Sequence, residues 1–175
     1  MTVLRREGCA VHRIKFGDWS VHYDEGLLDR LADLRTSKLP NETGGILLGI
    51  ADMMRREIHV VNALPQPEDS KGSVTGFERG VVGLADALNQ AIEASMFQLR
   101  YVGEWHSHPD FSSTWPSTTD IAQLFWLQSE LEAEGLPALM AIAGQSGEFT
   151  WVVKPPPPTA AAPQREPQGA CNARS

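Results

Sequence analysis

The amino-acid sequence predicts an α/β fold in which helices cover both faces of a central sheet. Segments with the apolar–polar alternation of strands alternate along the chain with segments that have the 3.6-residue periodicity of helices. Such an order is typical of a sheet flanked by helices. A length of 175 residues is also enough for one domain with a hydrophobic core.

The first predicted elements are two strands and a helix. HRIKF and WSVHY alternate apolar and polar residues, which predicts strands near 12–16 and 19–23. Asp24 can cap the helix that follows, because an aspartate oxygen accepts hydrogen bonds from the free N–H groups of a first turn. The apolar residues of this helix fall on one face and predict packing against the sheet: Leu27, Leu28, Leu31 and Leu34.

The middle of the chain predicts two neighbouring strands, a loop and a second helix. TGGILLGI (43–50) and REIHVVNAL (56–64) have the composition of central strands. Segment 65–76 is rich in turn-forming residues and is predicted to be a loop. The helix predicted over 80–96 carries one apolar stripe, which consists of Val81, Leu84, Leu88, Ala91 and Ile92.

The last part predicts a strand over 99–108, a helix over 117–135 and two further strands in PALMAIAG and FTWVV. Six of the chain's 12 prolines lie in 155–175, four of them in a row. Because proline cannot donate to a helix or a sheet ladder, 155–175 is predicted to be a Pro/Ala-rich disordered tail that follows a single domain, 1–154. A linker to a further domain is the alternative interpretation of the tail.

The chain is acidic, with 22 acidic and 15 basic residues and a net charge of −7. It has no basic cluster, so neither nucleic acid nor a membrane surface is expected as a partner. Cys9 and Cys171 form no CxxC pair, which argues against a disulfide framework or a thiolate zinc site. The sequence shows no secretory signal and no membrane-spanning stretch, and a cytoplasmic location is predicted.

The segment RYVGEWHSHPDFSSTWPSTTD (100–120) contains the strongest candidate for a functional site. His106 and His108 are two residues apart on the predicted strand, so their imidazoles lie on one face and can bind one metal ion. Pro109 then ends the strand, because it has no N–H group to donate. The other histidines are interpreted as ordinary strand residues: His12, His22 and His59.

Ser117-x-x-Asp120 has the pattern of a capping box, with aspartate in place of the usual glutamate, at the start of the predicted helix. A carboxylate held in the first helical turn can also face the end of the histidine strand. Two imidazoles and one carboxylate leave the fourth position of a tetrahedral zinc open, which is the arrangement of a catalytic site.

A hydrolytic metal site also needs a base for its water. By position, Glu42 is the best candidate and Glu104 is its rival. Glu42 precedes a buried, glycine-rich strand, whereas Glu104 shares the strand face of His106 and His108.

Glu42 in ETGGILLG, the run GEWHSHP and Ser117-x-x-Asp120 together resemble the motifs of the JAMM metalloproteases. These enzymes are the catalytic branch of the MPN (Mov34/PAD-1, JAB) domain family, which has a minimal bacterial form. The resemblance covers roughly residues 10–153 and implies a three-layer α-β-α sandwich with a mixed sheet, as in cytidine deaminases. One departure is visible: eight residues (109–116) separate His108 from Ser117, where the family usually has seven.

The resemblance implies roles for five residues. His106, His108 and Asp120 would hold one Zn²⁺ per chain. Glu42 would take a proton from the hydrolytic water, and Ser117 would donate a hydrogen bond to the oxyanion of the tetrahedral intermediate. Glu104 falls where the family carries varied residues, so no role is implied for it.

The resemblance also implies hydrolysis of the peptide or isopeptide bond after the C-terminus of a ubiquitin-like protein. Bacterial relatives occur beside E1/E2-like conjugation enzymes, some of them in antiviral defence operons; others process sulfur-carrier proteins, which is the alternative within the family. The loop 65–79 is expected to contact the substrate. Phe111 and Trp115 are expected either to line the cleft or to anchor their loop on the core.

Three interpretations from other classes are disfavoured. A non-catalytic MPN scaffold usually lacks ligands that are all present here. A zinc nucleoside deaminase needs a His/Cys-x-Glu motif and a PCxxC motif, and this sequence has no such cysteines. A barrel amidohydrolase with a His-x-His strand typically has roughly 250 residues, so the chain is too short.

Overall fold

The computed structural model describes residues 10–156, so Cys9, Cys171 and most of the predicted tail lie outside the described residues. Within that range the elements are, in chain order, β1 (Val11–Phe16), β2 (Trp19–Asp24), α1 (Glu25–Thr36), β3 (Gly44–Asp52), β4 (Glu57–Ala63), β5 (Lys71–Ser73), β6 (Gly76–Glu78), α2 (Leu84–Ala94), β7 (Arg100–Ser107), α3 (Thr118–Leu131), β8 (Ala138–Ala143) and β9 (Phe149–Lys154).

A single large sheet contains seven of these strands, in the order β1-β2-β4-β3-β7-β8-β9. The pairs β2–β4 and β7–β8 are parallel, and the other pairs are antiparallel, so the sheet is mixed. The strands β5 and β6 form a separate antiparallel hairpin. The predicted α/β fold, with a mixed central sheet flanked by helices, is confirmed.

Two of the helices begin at their predicted caps and bury leucines in the core. Asp24 Oδ1 accepts a hydrogen bond of 2.9 Å from the backbone N–H of Leu27, so α1 begins at Glu25. Burial of a leucine side chain contributes about 1.5–3 kcal/mol, which fixes both helices on the sheet. The buried leucines are Leu27 and Leu31 in α1 and Leu124, Leu127 and Leu131 in α3. None of the helices in 10–156 is long and apolar enough to span a membrane.

Two predicted boundaries in the middle of the chain are wrong. Segment 65–76 is not only a loop, because it contains β5 and the start of β6. The helix predicted from residue 80 begins at Leu84, and Val81 is 71% exposed. The reason is local: the N–H groups of Val81 and Val82 bond to the Asp69 carboxylate, and Gly83 has a φ of 73°.

The central strand β7 carries different groups on its two faces. Glu104 faces α3, since Gln123 Nε2 lies 2.6 Å from Glu104 Oε2. Because side chains alternate along a strand, His106 points to that same face and Trp105 to the opposite one. Trp105 is buried and its Nε1 donates to the carbonyl oxygen of Leu64 at 2.9 Å. This buried indole fixes the strand just before the two histidines.

Candidate metal centre

The start of β3 lies beside the end of β7. Gly44 is paired with His106 in the antiparallel ladder, which brings the Glu42 segment to the end of the histidine strand. A Cβ at Gly44 would lie 2.5 Å from the carbonyl oxygen of Trp105 and 2.7 Å from a ring atom of Phe77. Only glycine therefore lets Phe77 of the hairpin pack against the strand at this point.

The side chains of His106, His108 and Asp120 converge on one point. The Nε2 atoms of the two histidines are 3.2 Å apart. His106 Nε2 lies 3.2 Å from Asp120 Oδ1, and His108 Nε2 lies 3.5 Å from Asp120 Oδ2. Zinc ligands lie about 2.0–2.2 Å from the ion, so two of them at a tetrahedral angle are about 3.3–3.6 Å apart. The donor set and its spacing fit a divalent zinc ion.

Hydrogen bonds fix both the side chain and the backbone of His108. Its Nδ1 lies 2.5 Å from the carbonyl oxygen of Ser113 and donates to it, which leaves Nε2 available to a metal. Its own carbonyl oxygen accepts a hydrogen bond of 3.0 Å from the buried Arg35 of α1, which also pairs with Asp110. The hydrogen bond with Asp120 raises the pKa of His108, with a further contribution from Ser113, although burial opposes the shift.

Asp120 has a second function at the start of α3. Its Oδ2 accepts a hydrogen bond of 2.6 Å from Ser117 N, and Ser117 Oγ accepts one of 3.2 Å from Asp120 N. The predicted capping box is confirmed. Burial opposes ionisation of Asp120, but hydrogen bonds with His106 and His108 outweigh it and lower the pKa of this carboxyl. The carboxylate is therefore charged and rigidly placed, as a metal ligand requires.

The loop 109–116, which has one residue more than the usual family spacing, folds without displacing these groups. Phe111 adopts a φ of 64°, and Ser112 N donates to the carbonyl oxygen of Pro109 at 3.3 Å. The chain turns here and still delivers Ser117 to the N-cap of α3. Ser117 is exposed and lines the same cleft as the three converging side chains.

Glu42 lines that cleft as well. Burial raises the pKa of its carboxyl, while His108 and His106 act in the opposite direction. Hydrogen bonds fix the backbone on both sides of this residue. Glu42 N donates to Ser73 O of the hairpin at 2.8 Å. The next residue, Thr43, accepts a hydrogen bond from Ser107 N at 2.7 Å and donates one from its own N–H to Ser107 Oγ at 3.1 Å. Ser107 lies between the two histidines, so it couples the position of Glu42 to theirs.

Glu104, the other candidate base, is buried and fully engaged. Its Oε1 accepts hydrogen bonds from Arg79 at 2.8 Å and from Tyr101 at 3.3 Å, and its Oε2 accepts one from Gln123 at 2.6 Å. Its side chain is only 4% exposed. A carboxylate with both oxygens occupied in this way joins β7 to α3 and to the segment after the hairpin.

We expect Glu104→Ala to destabilise the fold by about 3–5 kcal/mol, because it leaves the guanidinium of Arg79 without its buried partner. Urea unfolding of the metal-free protein measures this loss. Glu68→Ala, at an exposed glutamate of the preceding loop, is the matched control and should unfold as the wild type does. A Glu104→Ala variant of unchanged stability that has lost cleavage would instead assign the base to Glu104.

Several residues that build the site were not predicted. Three of them have hydrogen-bond partners that are distant in sequence: Arg35, Ser107 and Arg79. The spacing of residues along the chain does not reveal such partners. The β5–β6 hairpin was predicted to be loop; part of 65–79 lines the cleft, and its contact with a substrate stays a prediction. Two signals were present in the sequence: an arginine four residues after Leu31, on the apolar face of the first predicted helix, and paired glycines that follow Glu42-Thr43.

The cleft over the converging side chains has a volume of about 330 Å³. The hairpin forms one wall, with Val74, Thr75, Gly76 and Phe77. Phe111 and Trp115 are 94% and 81% exposed, so they do not anchor their loop on the core. They line an adjoining groove of about 630 Å³.

We expect Ser117→Ala to retain Zn²⁺ and to lower cleavage by about 10²–10³-fold, the usual effect of removing one oxyanion donor. The variant should also lose about 1 kcal/mol of stability with the helix cap. Ser117→Thr keeps a hydroxyl for both purposes and is the matched control. Cleavage and urea unfolding are measured on the same preparations, and full activity in Ser117→Ala would exclude the oxyanion role.

Comparison with known proteins shows which family the chain resembles. The family described as prokaryotic homologs of the JAB domain matches residues 24–154. A protein of Enterobacter hormaechei subsp. hoffmannii named CD-NTase/cGAS isopeptidase is 36% identical over 104 residues, 59% of this chain and 56% of that protein. A protein of the same name from Escherichia coli is 32% identical over 123 residues, 69% of this chain and 71% of that protein.

The matched part of the chain thus spans little more than half the length of the Enterobacter relative. A solution structure of a Desulfitobacterium hafniense protein is similar at 16% identity and a TM-score of 0.48, covering 75% of this chain and 80% of that one. The family match extends from the end of β2 to the end of β9 and includes all five motif residues. The protein therefore belongs to the family of prokaryotic homologs of the JAB domain.

Proposed function

We propose that this protein is a zinc-dependent isopeptidase that hydrolyses the bond after the C-terminus of a ubiquitin-like protein. The observation that carries the proposal is the convergence of two imidazoles and a carboxylate in one cleft with Glu42. The shared name of the two relatives, CD-NTase/cGAS isopeptidase, supports the same class of reaction. A scaffold domain would not need this complete set of groups.

The side chains that line the cleft have separate roles in the proposed reaction. His106, His108 and Asp120 would hold one Zn²⁺, which when bound supplies Lewis acidity and lowers the pKa of water from about 15.7 to near 7. Glu42 accepts a proton from the attacking water and returns it to the departing amine. Ser117 donates its hydroxyl hydrogen to the developing oxyanion, since its oxygen already accepts from Asp120 N.

The shape of the cleft supports an extended peptide as the substrate. The β5–β6 hairpin lines one side of the cleft, and the aromatic groove at Phe111 and Trp115 continues it on the protein surface. We propose that the extended C-terminal tail of the substrate follows this path. By the name of the relatives, we propose a conjugated CD-NTase/cGAS-like protein as the target, in a cytoplasmic antiviral conjugation system with E1/E2-like partner enzymes.

The test is a cleavage assay with and without a chelator. Purified protein is incubated with a ubiquitin-like protein encoded beside its gene, supplied both as a linear fusion and as a lysine conjugate. We expect cleavage of the conjugate, its loss with chelator, and its return on addition of Zn²⁺. Cleavage that survives complete metal removal would contradict the metal-dependent mechanism. Preference for the linear fusion would point instead to processing of a precursor such as a sulfur carrier.

A further inference from the structure

A second cluster of metal-binding side chains lies away from the cleft, on the strands β2 and β4. These strands are parallel neighbours, and the register pairs Ser20 with Glu57 and His22 with His59. Glu57 and His59 are two residues apart on β4, so they share a face, and the pairing puts His22 on that face too. The trio repeats the two-residue spacing of the catalytic strand but draws its third ligand from a neighbouring strand.

The distances within this trio are only slightly longer than those between ligands of one ion. His22 Nε2 lies 3.7 Å from Glu57 Oε1, and His59 Nε2 lies 3.8 Å from Glu57 Oε2. All three donor atoms lie within 4.8 Å of one another. Two ligands of a tetrahedral zinc are about 3.3–3.6 Å apart, so the two carboxylate pairs are within a few tenths of an ångström of that spacing, and rotation of an imidazole can bring the three atoms together. His59 is free to make that rotation because its side chain is 46% exposed.

His22 supplies the second observation. Its Nε2 is buried, and within residues 10–156 no hydrogen-bond partner reaches it. The His22 ring stacks on the ring of His59 at a centroid distance of 4.6 Å. Among the described residues His12 Nε2 is also buried without a partner, but His22 alone of the two lies beside two further metal-binding side chains, where a bound cation would satisfy its nitrogen.

Arg13 is the group that competes for the same carboxylate. Its guanidinium lies 3.7 Å from Glu57 Oε1, but it also makes hydrogen bonds of 2.9 and 3.2 Å to Ser20 Oγ. The side chain of Arg13 is 50% exposed and lies on the edge strand β1. Its guanidinium can therefore turn away from Glu57 and keep a hydrogen bond to Ser20 Oγ.

We propose that His22, Glu57 and His59 form a second divalent-metal site, which takes Zn²⁺ and joins β2 to β4. Two imidazoles and one carboxylate are a zinc-type donor set, and water can complete the coordination from the exposed side. The site is independent of the cleft, since β3 separates β4 from β7 in the sheet. Its ligands come from two strands, so a bound ion stabilises their pairing.

The test is the stoichiometry of Zn²⁺ binding to metal-stripped protein, measured by calorimetric titration and by elemental analysis after gel filtration. We expect two equivalents for the wild type, one for His59→Gln and one for His106→Ala. The double variant should bind none. In the His106→Ala background, added Zn²⁺ should still raise Tm, and His59→Gln should abolish that rise. These results separate the second site from the catalytic one.

The controls are other positions of the same sheet. His12→Gln, at a β1 histidine that stacks on Tyr23, should retain two equivalents. Arg13→Gln should bind the second ion more tightly than the wild type, because the competing charge is removed. His22→Gln repeats the test at the buried ligand. A wild type that binds only one equivalent, or a second equivalent that persists in both His59→Gln and His22→Gln, overturns the proposal.

Discussion

Glu42→Gln is expected to lower cleavage by about 10²–10⁴-fold, the contribution of a general base, while Zn²⁺ binding stays as in the wild type. Glu42 belongs to the cleft but not to the converging trio, so its replacement removes no metal ligand. Glutamine keeps the shape of the side chain and cannot accept the proton. Single-turnover cleavage and Zn²⁺ titration of the same preparation separate the two effects.

The pH dependence of cleavage gives this prediction a second readout. Glu42 must be ionised to act as a base, so activity is lost as pH falls through its pKa. Burial raises that pKa above its ordinary value of 4.5. The acidic limb of the pH–rate profile should therefore lie at a higher pH than it would for an exposed glutamate. The residual activity of Glu42→Gln should not show this acidic limb. Glu68→Gln, at an exposed glutamate, is the matched control, and an unchanged rate in Glu42→Gln would rule out this base.

The parts of the site that could be predicted from the sequence are those set by local geometry. His106 and His108 share a face because strand side chains alternate, and Ser117 with Asp120 forms a capping box because the first turn of a helix leaves N–H groups free. Both patterns depend on residues that are close in sequence. Glu42 is sixty-four positions from His106 (106 − 42); its position before a glycine-rich strand made it a candidate base, and the family resemblance connected it to the histidines.

The remaining features depend on contacts between distant segments. The β5–β6 strands are three residues each, too short for a recognisable period, and backbone bonding of Ser73 to Glu42 fixes their hairpin beside the cleft. His22 and His59 were interpreted as ordinary strand residues. Their proximity follows from the parallel register of β2 and β4, which no single strand pattern specifies. A pattern within one segment can predict that the segment is a strand. Which strands pair, and in which register, depends on the whole sheet.

His106→Ala and Asp120→Ala are both expected to lose catalytic Zn²⁺ and cleavage, since each removes one of three ligands. Outer-shell changes already weaken metal sites by about 10–100-fold, so removal of a ligand should exceed that range. The two variants should differ in stability. Asp120 also accepts the N–H of Ser117, so only Asp120→Ala should lose an additional amount of about 1 kcal/mol at the start of α3.

Asp120→Asn separates the two functions of this side chain. Its amide oxygen can still accept from Ser117 N, so the helix cap should be largely kept, while the loss of charge should weaken Zn²⁺ binding and abolish cleavage. Urea unfolding of the metal-free proteins should therefore place Asp120→Asn nearer the wild type than Asp120→Ala, although both are inactive. Wild-type Zn²⁺ affinity and cleavage in Asp120→Asn would show that the carboxylate serves the helix and not the metal.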